Sequence, residues 1–269
     1  MWASQRRPLK ATTILWALGA LFSAIAHAAD SSGPDRRVLP ATPPAFAGTI
    51  GQTYLDSTPD WHPVAPLQAP QGAPNVLLIM LDDVGYAQLG AYGSSIRTPN
   101  IDRLASQGVR FTDFHTAALC SPTRSAVLSG RNHHSVGMAA ITEAATGFPG
   151  SNANIPRSAA TIAEVLKLNG YNTMAYGKWH LTPYTSYTQA GPFDQWPLGL
   201  GFERFYGFLG GETDQWAPLL VQDNKQLPMV YPKGYHLTVD LADQAIADIR
   251  DQQQVNSGRP FFAYFAPGA

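Results

Sequence analysis

The chain has 269 residues, with 18 lysines and arginines against 19 aspartates and glutamates, a formal charge of −1, one cysteine, 22 prolines and 24 glycines. That balance offers no basic face for a nucleic acid partner, and a single cysteine excludes an internal disulfide. The length suffices for one large domain with a sizeable core.

Arg6, Arg7 and Lys10 precede an apolar stretch from Ala11 to Ala26, and Ala26-His27-Ala28 stands before Ala29-Asp30. This order predicts a secretory signal peptide over residues 1–28, hence a periplasmic or secreted protein. The apolar stretch is shorter than the roughly 20 residues a spanning helix needs, so no membrane span is expected after cleavage. Removal of residues 1–28 leaves 15 of the 18 basic residues against 19 acidic ones, a charge of −4. Recognition of an anion must therefore be local rather than a property of the whole surface.

Residues 29–74 form a proline-rich segment, with nine prolines between Asp30 and Pro74 and no sustained apolar period. It reads as an extended arm, lying on the domain or partly disordered. Folded structure is expected from residue 75 to 269. Val76 to Leu81 is a continuous apolar run of strand length, the pattern of a strand covered on both faces. Asn100 to Gln107 reads as a helix stopped by Gly108, Val109 to Phe114 as a strand, and Pro122 to Leu128 as a helix. Ala159 to Leu168 predicts a helix ended by Asn169-Gly170, and Tyr171 to Tyr176 a strand. Asp240 to Arg250 is a further helix and Phe261 to Phe265 a final strand. Alternating strands and helices imply an α/β fold, a mostly parallel sheet flanked by helices. Ligands in such sheets collect beyond the carboxyl ends of the strands.

Polar residues follow those strands. Asp82-Asp83 comes directly after the first, and Gly85 permits the turn that would let both carboxylates face one site. The pair would suit Ca²⁺, with Mg²⁺ as the alternative, or else serve as a helix cap or solvated turn. Cys120 stands at the start of the helix that carries Arg124, where free N–H groups and the helix dipole favour a tetrahedral anion. A free cysteine is equally at home as a small buried hydrophobe, and Arg124 as a surface helix residue. Lys178 and His180 follow the strand ending at Tyr176, on one side of an extended segment, with Trp179 facing away. His133 and His134 either line a pocket or belong to a capped loop. No spacing of cysteine and histidine suits zinc. Trp179, Tyr184, Tyr187, Trp196, Phe202, Phe205, Tyr206, Phe208 and Trp216 would either floor an aryl-binding cleft or fill the core.

Cys120-Ser121-Pro122-Thr123-Arg124 resembles the Cys-x-Pro-x-Arg signature of the sulfatases, Leu81-Asp82-Asp83-Val84-Gly85 their L-D-D-x-G run, and Gly177-Lys178-Trp179-His180 their second motif. From about Pro74 onward the chain is similar to the N-terminal half of bacterial arylsulfatases, of alkaline-phosphatase-like fold. The resemblance implies that Cys120 is oxidised to formylglycine by a formylglycine-generating enzyme, and that Asp82, Asp83 and the modified Cys120 bind a divalent cation. It also implies that Arg124 holds the formylglycine, that Lys178 contacts it and sulfate, and that His180 acts as base. The substrate it implies is a small-molecule sulfate ester. Phe148-Pro149-Gly150 and Gly201 to Phe208 resemble further segments of the larger bacterial members.

In the family, a strand like Phe261 to Phe265 is followed by a histidine and later by further metal ligands, so the C-terminal part of the domain is expected to be absent from residues 1–269. Hydrolysis of phosphate or phosphonate esters, or a non-catalytic remnant, are the alternative readings of the same residues.

Overall fold

A computed structural model describes residues 45–61, 67–256 and 258–268. The expected signal peptide and the first part of the proline-rich arm lie outside the described residues. The chain divides into two units, residues 1–65 and 66–269. In the described part of the first, an antiparallel bridge joins Thr49 to Thr58. It encloses a turn of 3₁₀ helix, Tyr54–Asp56, into which Asp56 Oδ1 accepts the Thr53 N–H at 2.9 Å. Residues 49–58 thus close a small loop.

The second unit is built on six strands: β1 (Val76–Ile79), β2 (Asn172–Lys178), β3 (Arg204–Phe208), β4 (Val221–Gln222), β5 (Lys225–Gln226) and β6 (Phe261–Ala266). Their order across the sheet is β1-β6-β2-β3-β4-β5. The four longer strands are mutually parallel, and the β4–β5 hairpin adds to the β3 edge antiparallel. The helices are α1 (Pro99–Gln107), α2 (Cys120–Ser129), α3 (Ile162–Lys167) and α4 (Leu237–Val255). The mixed, mostly parallel sheet with flanking helices is the architecture that strand and helix alternation predicts.

Packing follows the strand period. Ala175 of β2 and Phe262 and Tyr264 of β6 meet Leu128 of α2 and Ala163 of α3 in one apolar cluster, joined by Trp179, Phe202 and Phe205. Met174 and Tyr176 of β2 and Ala263 of β6 point the other way, onto Ala245 of α4. Both faces of the central strands β2 and β6 are covered, and β6 reads as an unbroken apolar run for that reason. β1, whose apolar run predicts the same cover, leaves Leu77 and Ile79 exposed on one face, because it has a sheet neighbour on one side alone and no helix packed over that face among the described residues.

One predicted strand is absent. Val109 to Phe114 is irregular, with Val109, Phe111 and Phe114 exposed. Its alternation of apolar and polar residues is a strand pattern, but a strand forms only against a hydrogen-bonding partner, and none pairs with it among the described residues. β3 and the β4–β5 hairpin were not legible as strands: β4 and β5 have only two residues each, too few for any period to show.

Candidate active site

The parallel topology aims the carboxyl ends of β1 and β2 at one edge, and α2 begins there. Met80 N–H still bonds Phe265 O at 2.9 Å, holding the chain in register just before Asp82. The turn then occurs at Asp83 itself, whose φ is +52°, while Gly85 has an ordinary extended backbone. The tight turn expected of Gly85 is made two residues earlier, at an aspartate, one of the residues that tolerate the left-handed region best.

β2 is registered between β6 and β3 up to Lys178. Gly177, φ +92°, lets the strand pass β6 closely: a Cβ there would lie 2.0 Å from Ala266 O. Beyond the strand, Trp179 and His180 donate their N–H groups to Phe208 O at 2.9 Å and Leu209 O at 3.0 Å. Trp179 is fully buried and donates Nε1–H to Gln195 O, so of its two readings it takes the core one. His180 does not continue the extended run; its φ is +53°. Simple alternation therefore does not decide where its ring goes.

Four of the six predicted site residues meet directly. Lys178 Nζ contacts Asp82 Oδ2 and lies 3.2 Å from Cys120 Sγ. Arg124, 1% exposed, donates to Lys178 O at 2.7 Å and to the Tyr264 hydroxyl at 3.0 Å, and its second terminal nitrogen lies 3.4 Å from Asp82 Oδ1. The surface-helix reading of Arg124 is excluded by that burial. Burial tends to raise the Asp82 pKa, but the Lys178 hydrogen bond, the charges of Arg124 and Lys178 and a contact with Cys120 outweigh it, holding the carboxyl below its ordinary value. Asp83 is exposed beside this cluster.

His180 stands apart, on Glu143: Nε2 is 2.8 Å from Glu143 Oε2. Burial holds its pKa below the usual imidazole value, with the charges of Lys178 and Arg124 acting the same way and Glu143 opposing them. The imidazole is therefore neutral at neutral pH. Three buried polar atoms here have no hydrogen-bond partner among the described residues: Ser121 Oγ, Arg124 Nε and His180 Nδ1. α2 starts at Cys120 with Leu119 as its N-cap, and no side chain caps it. The first N–H groups of the helix stay open beside the two cations, and together they can hold a tetrahedral oxyanion.

For a hard cation, Asp82 and Asp83 supply the appropriate carboxylate oxygens. The described residues contain no group of three or more histidines, cysteines, aspartates and glutamates that could hold a metal ion, so the pair provides only part of a coordination shell.

Glu143 and Tyr264 were missed in the sequence. Glu143 lies in a short turn, Thr142–Ala144, with no motif around it. Tyr264 carried a weak signal: a tyrosine in a doubly covered strand needs a partner for its hydroxyl. His133 and His134 form the capped loop, with Asn132 Oδ1 accepting from His134 N–H at 2.9 Å and His133 Nδ1 2.9 Å from Met138 O. Most of the aromatic stretch is core; Tyr184 and Trp216 are exposed. Among the described residues no helix is long and apolar enough to cross a membrane.

The family model described as Sulfatase matches residues 74–269. An uncharacterized sulfatase of Schizosaccharomyces pombe is 33% identical over 221 residues, which are 73% of this chain and 38% of that protein. The arylsulfatase of Klebsiella aerogenes is 29% identical over 214 residues, 74% of this chain and 43% of that one. Among solved structures, Ps i-CgsB in complex with a neocarrahexaose superposes with a TM-score of 0.61 at 31% identity, covering 73% of this chain and 45% of that one. The chain thus spans less than half the length of these relatives. The matched region holds both the parallel sheet and the cluster at its edge, and on that match the chain belongs to the sulfatase family.

Proposed function

We propose that this chain carries the nucleophile and its supporting residues of a sulfuric ester hydrolase site, acting on an aryl or similar small-molecule sulfate ester. The observation that carries the reading is the position of Lys178 Nζ, in contact with Asp82 and 3.2 Å from Cys120 Sγ, with Arg124 buried behind it. Similarity to the Klebsiella aerogenes arylsulfatase supports the same reaction class. Cys120 is the residue for oxidation to formylglycine by a formylglycine-generating enzyme, and the hydrated aldehyde would supply the hydroxyl that attacks sulfur.

The remaining chemistry belongs to the chain's own side chains. Lys178 neutralises negative charge beside residue 120, where sulfate oxygens would lie, and such a preorganised donor is worth about a hundredfold or more in rate. Arg124 fixes that lysine through its carbonyl and adds a second fixed positive charge. His180, neutral at neutral pH, is the base that removes a proton from the reacting group at position 120. Asp82 and Asp83, with the modified Cys120, would hold a Ca²⁺ or Mg²⁺ ion, which would supply charge stabilisation for the sulfate oxygens. Residues 1–28 would direct the protein to the periplasm or outside the cell.

The test is to produce the protein with a formylglycine-generating enzyme and to assay matched aryl sulfates and aryl phosphodiesters. An aldehyde at position 120 that reacts with a hydrazide, and a preference for the sulfate that is lost in Cys120→Ala, are expected. An unmodified thiol in cells that convert a control sulfatase, or a preference for the phosphodiester, would overturn the reading.

A further inference from the structure

The contact between Glu143 and His180 assigns a role to a residue that no motif marks, and its catalytic meaning rests on the function proposed above. Glu143 Oε2 lies 2.8 Å from His180 Nε2 and receives the Thr142 hydroxyl at 3.1 Å. An ionised carboxylate can only accept. Burial acts to raise the Glu143 pKa, but the His180 and Thr142 hydrogen bonds and the His180 charge bring it below the ordinary value, so the side chain is ionised at neutral pH. Nε2 must then carry the hydrogen, and in a neutral imidazole the lone pair is left on Nδ1. Nδ1 is the buried atom without a hydrogen-bond partner among the described residues.

The ring has little freedom to present another atom. Its side chain is 4% exposed. A Cβ built on Gly211 would lie 2.8 Å from Cε1 and 3.0 Å from Nε2, so the imidazole rests against the glycine position itself. The His180 main chain is pinned to Leu209 O beyond β3. Glu143 is steadied in turn: Thr142 Oγ1 lies 3.4 Å from the Tyr187 hydroxyl, which donates to Leu209 O at 3.1 Å.

We propose that Glu143 is the positioning residue of the site, holding His180 as the Nε2–H tautomer so that Nδ1 is the atom that takes the proton. The transfer balances without an outside reagent: a hydroxyl of the reacting group loses H⁺ to Nδ1, and the imidazolium formed keeps Nε2–H on the Glu143 carboxylate. The charged and titratable groups around the ring are Glu143 from its turn, Lys178 from β2 and Arg124 from α2, with the Tyr187 phenol beside Thr142. Of these, Glu143 alone favours the protonated ring.

The experiment is ¹⁵N NMR of histidine-labelled protein, with the His180 signals assigned by their loss in His180→Gln. The Nε2–H tautomer is expected at neutral pH. Glu143→Gln, an isosteric change on a partly exposed side chain, should fold normally and make His180 titrate at lower pH. In the matured enzyme the same variant should lower kcat by about ten- to a hundredfold, with KM within about a factor of three. The acid limb of its rate profile should also move to lower pH. An Nδ1–H tautomer in the parent protein, or identical titration and kcat in Glu143→Gln, would overturn the proposal. The expected tautomer in a parent protein that turns over no aryl sulfate would instead refute the function while leaving the Glu143 contact as assigned.

Discussion

Replacing Arg124 by methionine tests whether the cluster at the sheet edge is held by charge or only by packing. The guanidinium is 1% exposed, donates to Lys178 O at 2.7 Å and to the Tyr264 hydroxyl at 3.0 Å, and lies 3.4 Å from Asp82 Oδ1. Methionine preserves most of the volume, so the cost is mainly polar. Losing the donor strips a partner from Lys178 O and removes one of the two positive charges beside Asp82. Taking one partner from a buried ion pair costs about 3–5 kcal/mol, and a single stranded buried acceptor about 1–3 kcal/mol. The two overlap here, since Lys178 still reaches Asp82 and the Tyr264 hydroxyl still reaches Met80 Sδ at 3.3 Å, so about 3 kcal/mol is expected. Arg124→Lys keeps the charge but loses the forked geometry and should cost about half as much. Urea unfolding at neutral pH, followed by far-UV circular dichroism, reads both. A loss below about 1 kcal/mol in Arg124→Met would mean that the cluster is solvated and that packing alone holds α2 to the sheet.

Gly177→Ala should destabilise the protein by at least about 2 kcal/mol, because its φ is +92° and the new Cβ would meet Ala266 O at 2.0 Å; equal thermal midpoints would show that β2 can shift. Asp82 has a depressed folded-state pKa, so its contribution to stability is complete above its ordinary value of 3.8 and is lost as pH falls through the lower folded value. Asp82→Asn should therefore lose stability at neutral pH and show a flatter acid dependence in urea titrations; parallel curves for variant and parent would contradict this. Asp82→Ala and Asp83→Ala should each weaken Ca²⁺ binding measured by calorimetry on the matured protein, whereas unchanged affinity in both would reduce the pair to a turn.

Sequence legibility tracked the range of the interaction that fixes each feature. β2, β6 and the start of α2 were readable because burial on both faces and a helix start leave their marks within about ten residues. Val109 to Phe114 misled for the same reason: its pattern states what the segment would do beside a partner strand, and pairing is decided elsewhere in the chain. Asp82, Cys120, Arg124 and Lys178 were marked as candidates by short motifs, and the parallel topology brings them together. Glu143 was invisible because its partner lies 37 positions away and neither side of the contact constrains its own neighbours. The left-handed backbone at Asp83 and His180 was equally hidden, since glycine is the residue by which such a conformation is usually announced.

The charge arrangement reconciles an acidic chain with the anionic substrate proposed for it. Fields between exposed charges are screened within about 8 Å at physiological salt, so the net charge has little say at the floor of the site. What matters there is the pair Arg124 and Lys178, each with a side chain no more than 3% exposed, where the effective dielectric is lower than in water. Left unpaired, two buried cations would cost the fold several kcal/mol each. Asp82 removes that penalty by touching both, and β1 delivers it from a different strand than the one that carries Lys178. Sheet formation and assembly of the site are therefore one event: the carboxylate that makes the two cations tolerable arrives only when β1 and β2 are both registered on β6.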